Sequence, residues 1–432
     1  MAVDLAHVLY QGEEVGVLAW DREKQLGSFE YTKSFSEGDI QLAPLKMPLS
    51  KQIYQFTNLH ESFQGLPGLF ADSLPDTYGN TLINAWLVSQ KRSMADFSPV
   101  ERLCYLGDRA MGALEYKPAL RKMRSTAEEL DLQNLVELAN KALSLKGELN
   151  VEGLDSEENL NEILRVGTSA GGARAKAVIA FNSKTSEVRS GQGMVPEGFE
   201  HWLIKFDGIT GTFDGLRDPQ GYGRIEYAYY LMAKDAGIAM TECRLLEENG
   251  RAHFMTKRFD RLNNKKKMHF ASLFGINHMS YTSPLIHTYS YEDVFDIVNK
   301  LKLDSESKEQ LFIRMVFNVL AYNRDDHVKN FGFVMDDKGN WKLSPAYDVT
   351  YAYNPEPAKW TGNQQLALNG KRAHINIDDF FVVGDIGRAG SKQRLRSLID
   401  QVTTSVNKWQ EFAKMAHVDE KNKKVMSRLI VR

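Results

Sequence analysis

Asp325 and Asn330 are separated by four residues in the run Asp325-Asp326-His327-Val328-Lys329-Asn330, and Asp348 follows eighteen positions later, beyond a turn at Asp336-Asp337-Lys338-Gly339-Asn340. Phosphoryl transfer to a hydroxyl needs one carboxylate near the acceptor proton and at least two oxygen ligands to hold Mg2+ on the phosphates. This stretch carries both. Asp and Asn are also common turn formers, so the spacing alone leaves a plain loop as the alternative.

Protein kinases arrange an Asp, four residues and an Asn in their catalytic loop, with a second metal-binding Asp after a hairpin, and the spacing here matches. Complementary parts lie upstream. Gly167-Thr168-Ser169-Ala170-Gly171-Gly172 could wrap phosphate oxygens with backbone N–H groups, although it is not a Walker sequence. Lys205, in an apolar strand candidate at 201–206, sits where a long cation could reach the α and β phosphates; the alternative is a strand lysine facing water. Glu226, near the start of the next helix, could pair with Lys205 or merely favour a helix N-terminus. Thr256-Lys257-Arg258-Phe259-Asp260-Arg261 would lie where two kinase lobes join. The basic run at 257–267 reads as a solvated loop rather than a nucleic-acid patch. His253, His269, His278 and His287 lack the pairing of a zinc site, and His327 is better suited to orienting the loop than to binding metal. No Gly-x-Ser-x-Gly elbow or Cys/His protease signature stands out.

The elements that must position these groups follow from periodicity. Short strands are expected at 7–10 and 15–20 around Gln11-Gly12 and at 28–31, then a helix from Pro75 carrying Leu82, Ile83, Trp86 and Leu87. A capping box of Thr126 and Glu129 predicts a helix with Leu132, Leu135, Val136 and Ala139 on one face, stopping at Gly147, and a short helix follows at 156–165. Strands at 176–181 and 201–206, a helix at 224–237, and a hairpin through Asn249-Gly250 come next. The rest is mainly helical, at 291–301, 306–322 and 395–416, interrupted by the Asp-rich segment and its small hairpin.

The 432 residues suit two to three units, and 43% hydrophobic residues supply a sizeable core. A formal net charge of −2 gives no overall field for nucleic acid or an anionic membrane. Two cysteines are too few for a disulfide scaffold and suit a reducing compartment. Asp4, Glu13 and Glu14 stand where a secretory signal would be basic and then apolar, and no uncharged apolar run reaches about 18 residues. A soluble cytoplasmic protein is expected.

Together these residues resemble the HipA family of bacterial serine/threonine kinase toxins along nearly the whole chain. Asn323-Arg324-Asp325-Asp326-His327-Val328-Lys329-Asn330-Phe331 is similar to the family's catalytic segment, Pro345-Ala346-Tyr347-Asp348-Val349 to its metal-binding segment, and Arg258-Phe259-Asp260-Arg261 to its hinge. Thr168-Ser169-Ala170-Gly171-Gly172-Ala173-Arg174-Ala175-Lys176 resembles its phosphate loop, and Leu74-Pro75-Asp76 with Gly112-Ala113-Leu114 its N-terminal region. The resemblance implies Asp325 as catalytic base, Asn330 and Asp348 as Mg2+ ligands, and Lys205 as the phosphate-contacting lysine. It places ATP against Ser169, Ala170, Gly171, Gly172, Ala173, Lys176, Glu226, His327 and Lys329, with adenine meeting the backbone of Lys257 and Phe259. Ser169 falls where members autophosphorylate, which expels the phosphate loop and silences the kinase: a dianion there competes for the site built for ATP.

The implied partners are a small helix-turn-helix antitoxin of the HipB kind, operator DNA reached mainly through it, and a protein substrate; the family's best-known target is an aminoacyl-tRNA synthetase. The expected architecture is an α/β, two-lobed protein-kinase-like fold of HipA type. Residues 1–120 would form a mixed N-terminal subdomain, 121–260 the nucleotide-binding lobe with phosphate loop and hinge, and 261–432 a mainly helical lobe with the catalytic and metal-binding loops. Two other readings share the motifs, a catalytically silent kinase fold acting as antitoxin-binding co-repressor and a small-molecule kinase.

Overall fold

The computed structural model describes residues 3–120, 129–144, 163–164, 166–167, 174–192, 194–209, 220–262, 266–356 and 359–430. Strands β1 (Leu5–Tyr10), β2 (Glu13–Asp21), β3 (Leu26–Tyr31), β4 (Tyr54–Gln55) and β5 (Leu114–Lys117) form an antiparallel sheet in the order β4-β3-β2-β1-β5. Gln11 and Gly12 both take positive φ, the geometry of a two-residue turn whose twist suits a hairpin. A second antiparallel sheet, β7-β6-β8-β10-β9, is built from β6 (Lys176–Phe181), β7 (Val188–Ser190), β8 (Glu200–Lys205), β9 (Cys243–Glu248) and β10 (Arg251–Lys257). Asn249 and Gly250, at φ 44 and 78, close the β9–β10 hairpin as expected. The Asp336–Asn340 turn joins β12 (Gly332–Met335) to β13 (Trp341–Leu343), and β11 (His269–Ser272) completes a third sheet.

Helix α1 (Thr77–Ser89) starts after an extended Asp76, so Pro75 lies before the helix rather than in its first turn. Helix α2 (Pro99–Leu106), which the sequence reading passed over, is capped by Ser98, whose Oγ accepts from Glu101 N at 3.1 Å. Helix α3 (Leu132–Ser144) corrects the expected capping box. Asp131 Oδ1 accepts from the N–H groups of Gln133 and Asn134, while Glu129 lies in extended backbone bridged to Arg189; Thr126, Gly147 and most of the helix expected at 156–165 lie outside the described residues. Then come α4 (Tyr222–Asp235), α5 (Tyr291–Lys300), α6 (Ser305–Leu320) and α7 (Ile377–Ile386). The single helix expected at 395–416 is two, α8 (Lys392–Asn407) and α9 (Trp409–Met415), before α10 (Glu420–Ile430). Lys408, at ψ 13, breaks the ladder, and the change of direction buries Trp409 completely, its ring 5.6 Å from that of Tyr229. Among the described residues no helix is long and apolar enough to cross a membrane.

One apolar core runs from the first sheet (Phe29) and the short helix Gly68–Ala71 beside it (Phe70) through α4 (Tyr229) to the C-terminal helices (Phe317, Trp409). A second lies against β6 and β8, and there α1 contributes Tyr78 and Leu82 beside Trp202, Ile204 and Leu135 of α3. The first 120 residues therefore pack on both halves that follow.

A buried ion cluster joins the N-terminal region to the segment after β10. Asp260, with no exposed surface, accepts from Arg258 at 2.8 and 2.6 Å, from Arg261 at 2.5 Å and from Gly112 N at 2.8 Å. Arg261 also donates to the carbonyls of Gly112 and Ala110, both at 2.9 Å. Burial would raise the Asp260 carboxyl, but the two guanidinium groups overrule it and hold the acid well below the usual range. Removing one member of such a cluster strands the others' charge. Asp260→Ala is therefore expected to lower the unfolding free energy by about 3–5 kcal/mol in urea denaturation; a loss below about 1 kcal/mol would contradict the clustered arrangement.

Candidate active site

Lys205 ends β8 with its side chain only 11% exposed. Its Nζ lies 2.5 Å from Glu226 Oε1 and also bonds Asp348 Oδ1. Glu226 reaches it because α4 lies directly on β10: a Cβ on Gly223 would fall 2.0 Å from Ala252 O, so only glycine allows that approach. Asp348 reaches it from the loop after β13 in the left-handed region, at φ 53, which aspartate tolerates better than most residues. Burial alone would push the Lys205 ammonium towards neutrality, but Asp348 and Glu226 outweigh it and raise it well above the ordinary lysine range. Burial likewise opposes ionisation of Asp348, and Lys205 with Lys176 reverses that, holding its carboxyl well below the usual range.

Lys176 faces Lys205 directly across the β6–β8 ladder and is buried, which lowers its own ammonium. Like charges opposite each other on one sheet face repel. With Glu226 and Asp348 beside them, the two lysines belong to one buried cluster of opposite charges.

The C-terminal wall of the cleft starts where α6 stops. Asn323 Nδ2 donates to Asn318 Oδ1 at 2.8 Å, and Asn318 Nδ2 to the Tyr291 hydroxyl at 3.1 Å. That hydroxyl donates to Asp326 Oδ2 at 2.8 Å, and Gln364 Nε2 and Gln365 N donate to the same carboxylate at 3.1 and 2.7 Å. Burial pushes the Asp326 carboxyl up to about 6 against these donors. Its neighbour Asp325 is 38% exposed, so of the adjacent pair only Asp325 can meet an incoming hydroxyl. Asn330 Nδ2 donates to Asp325 O at 2.7 Å, which keeps the Asn330 amide oxygen as a ligand group. His327 Nδ1 accepts from Lys329 N at 3.2 Å, and its Nε2 stands 3.8 Å from Asp325 Oδ1.

Asn330 and Asp348 line one small cavity of about 20 Å3 with Asp326. Among the described residues no group of three or more His, Cys, Asp or Glu side chains could cage a metal. One amide oxygen and one carboxylate suit Mg2+, which is commonly held by one or two protein oxygens together with substrate phosphates and water.

The remaining expected residues fall into three groups. Lys329 is engaged by Asp76 at 2.5 Å, with its ammonium over the rings of Phe274 and Tyr281, so a phosphate would compete with that carboxylate. Lys257, at the end of β10, donates its backbone N–H to Glu242 O at 2.9 Å and its ammonium to Glu200, and the Phe259 ring clusters with those of Phe270 and Tyr347. Ser169, Ala170, Gly171, Gly172 and Ala173 lie outside the described residues, whereas Gly167 packs under Tyr78 and Leu82 of α1. Sequence reasoning missed two contributors. Asp76 was noted only within Leu74-Pro75-Asp76, and Trp360, whose indole N–H donates to Asp325 Oδ1 at 2.5 Å, carries no periodicity or spacing that could have singled it out.

Two family models match the chain, the HipA N-terminal domain over residues 6–117 and the HipA-like C-terminal domain over residues 168–410. A Haemophilus influenzae protein named "Putative kinase" is 25% identical over 270 residues, 53% of this chain and 78% of that one. The HipA structure from Shewanella oneidensis MR-1, solved with HipB and its operator DNA, superposes with a TM-score of 0.66 at 16% identity, covering 98% of this chain and 95% of that one; it shows the same fold. The chain is kinase-like and belongs to the HipA family.

Proposed function

We propose that the chain is a Mg-ATP-dependent serine/threonine protein kinase and the toxin of a HipBA-like toxin–antitoxin system. The observation that supports this most strongly is the buried Lys205 ammonium shared by Glu226 and Asp348 beside Lys176. In this reading Lys205 and Lys176 hold the phosphates, and Phe259 with the Lys257 carbonyl borders adenine. Asn330 and Asp348 hold Mg2+, which when bound neutralises charge on the phosphates. Asp325 accepts the proton of the acceptor hydroxyl while His327 steadies the loop around it. The three units at 1–120, 121–260 and 261–432 belong to the same proposal.

The partner proposed is a small helix-turn-helix antitoxin, through which operator DNA is reached, as the Shewanella oneidensis assembly of HipA, HipB and operator DNA suggests. A chain of net charge −2 has no general attraction for DNA, which favours an intermediary. The substrate proposed is a translation-related protein such as an aminoacyl-tRNA synthetase.

Asp325→Asn is expected to cut phosphate transfer by at least about 100-fold while ATP still binds, because general-base contributions are typically that large. Asp348→Asn should weaken both binding and transfer, since it removes a metal ligand and unbalances Lys205. A radiolabelled-ATP assay paired with nucleotide titration separates the two, and undiminished transfer by Asp325→Asn would remove the base assignment. Mass spectrometry after incubation with Mg-ATP is expected to find phosphate on Ser169; an unmodified chain would favour the silent or small-molecule readings.

A further inference from the structure

Trp360 is the residue nearest the proposed base that no motif accounts for. Its indole N–H, a donor only, meets Asp325 Oδ1 at 2.5 Å. Among the described residues no donor reaches Asp325 Oδ2. A carboxylate with one oxygen committed to a fixed donor loses its freedom to rotate and offers the other oxygen in one direction.

The indole is itself tied to the residues on either side of the base. Arg324 donates from Nη1 to Gly362 O, and Gln365 Nε2 donates to Trp360 O and, at 3.1 Å, to Arg324 O. Gln365 N donates to Asp326 Oδ1 at 2.7 Å. The backbone around Trp360 is thus tied to Arg324 and Asp326, which brings the indole within reach of Asp325. Yet Trp360 is 41% exposed, with its ring 6.1 Å from that of His327. What singles it out is the donated hydrogen bond to Asp325, since an exposed aromatic by itself is ordinary.

We propose that Trp360 is a positioning residue for the transfer step: its N–H holds Asp325 Oδ1 so that Oδ2 faces the acceptor hydroxyl, and its exposed ring walls the acceptor side. In the step, Oδ2 takes the hydroxyl proton as the acceptor oxygen bonds to the γ phosphorus and ADP departs with the electrons of the broken P–O bond. The inference rests on the kinase reading above.

The test uses the full chain in two arms. In the first, 15N-tryptophan labelling resolves the six indole N–H signals, and Trp360→Phe identifies the one from Trp360. That signal is expected to move upfield in Asp325→Ala, and its indifference to that change would overturn the contact and the proposal. In the second, Trp360→Phe is expected to lower kcat on the order of tenfold or more with KM for ATP and thermal stability unchanged, since small misplacements of reacting groups are costly. Trp360→His, which retains a ring N–H, should recover part of the loss. Trp360→Phe turning over at the parent's rate would overturn the positioning role even with the contact intact, as would equal losses in the Phe and His variants. A parent chain that transfers no phosphate fails the kinase reading itself, and the positioning role falls with it whatever the indole reports.

Discussion

A single ammonium group holds the cleft together. Lys205 lies on a strand, Glu226 on a helix packed across that sheet, and Asp348 on a loop some 140 residues further along the chain (348 − 205 = 143). At 11% exposure the lysine keeps its charge with two carboxylates beside it, and an uncompensated charge at such a site costs several kcal/mol. The alignment of sheet, helix and loop is thus a condition for neutralising one side chain. The same cluster includes a second buried lysine: Lys176 lies opposite Lys205 on the neighbouring strand, and both lysines draw the Asp348 carboxyl downward.

The N-terminal region is part of this site rather than an attachment to it. Asp72 accepts from Ser272 N and Oγ at 2.6 and 2.7 Å, which fixes the start of the short helix after β11. Four residues later Asp76 holds Lys329 of the 325–330 segment, and Tyr78 and Leu82 lie where a Cβ on Gly167 would come within 3.3 and 2.6 Å. One stretch of eleven residues, 72–82, therefore touches the 325–330 segment and Gly167 at once. Any movement of the first sheet relative to either half would be felt at both.

Local patterns made much of this legible. Short apolar runs marked β6 and β8, Asn-Gly marked the β9–β10 hairpin, and the Asp-rich turn after 335 marked a small hairpin, because each depends on residues near in sequence. Failures came where distant contacts decided. Thr126 and Glu129 had the right chemistry for a capping box, but Glu129 pairs with Arg189 and a nearer aspartate caps α3. The helical pattern at 395–416 reads straight through Lys408, yet the helix breaks there and Trp409 packs on Tyr229, 180 positions earlier in the chain (409 − 229). Asp76 and Trp360 were invisible for the same reason: their partners stand 253 and 35 positions away, and neither position belongs to a repeat.

Adjacent aspartates show how burial assigns roles that sequence leaves open. Hydrogen bonds run in one direction from Asn323 to Asn318, from Asn318 to Tyr291 and from Tyr291 to Asp326, with Gln364 and Gln365 donating to the same carboxylate. A relay in which every member donates onward must end on a group that only accepts, and an ionised carboxylate is that group. Asparagine at 326 would turn an N–H2 towards donors, and a protonated acid would do much the same with its O–H. Burial nevertheless pushes the Asp326 carboxyl up to about 6, so the neutral form gains in the fold, and its contribution to stability is full below the unfolded value near 4 and lost as pH rises through about 6. Ionised Asp326 is therefore a cost accepted above pH 6 to orient the loop. That cost is repaid through its neighbour: with Asp326 anchored inward and Asn330 bonded to the Asp325 carbonyl, the Asp325 side chain is left partly exposed, where Asp326 is buried.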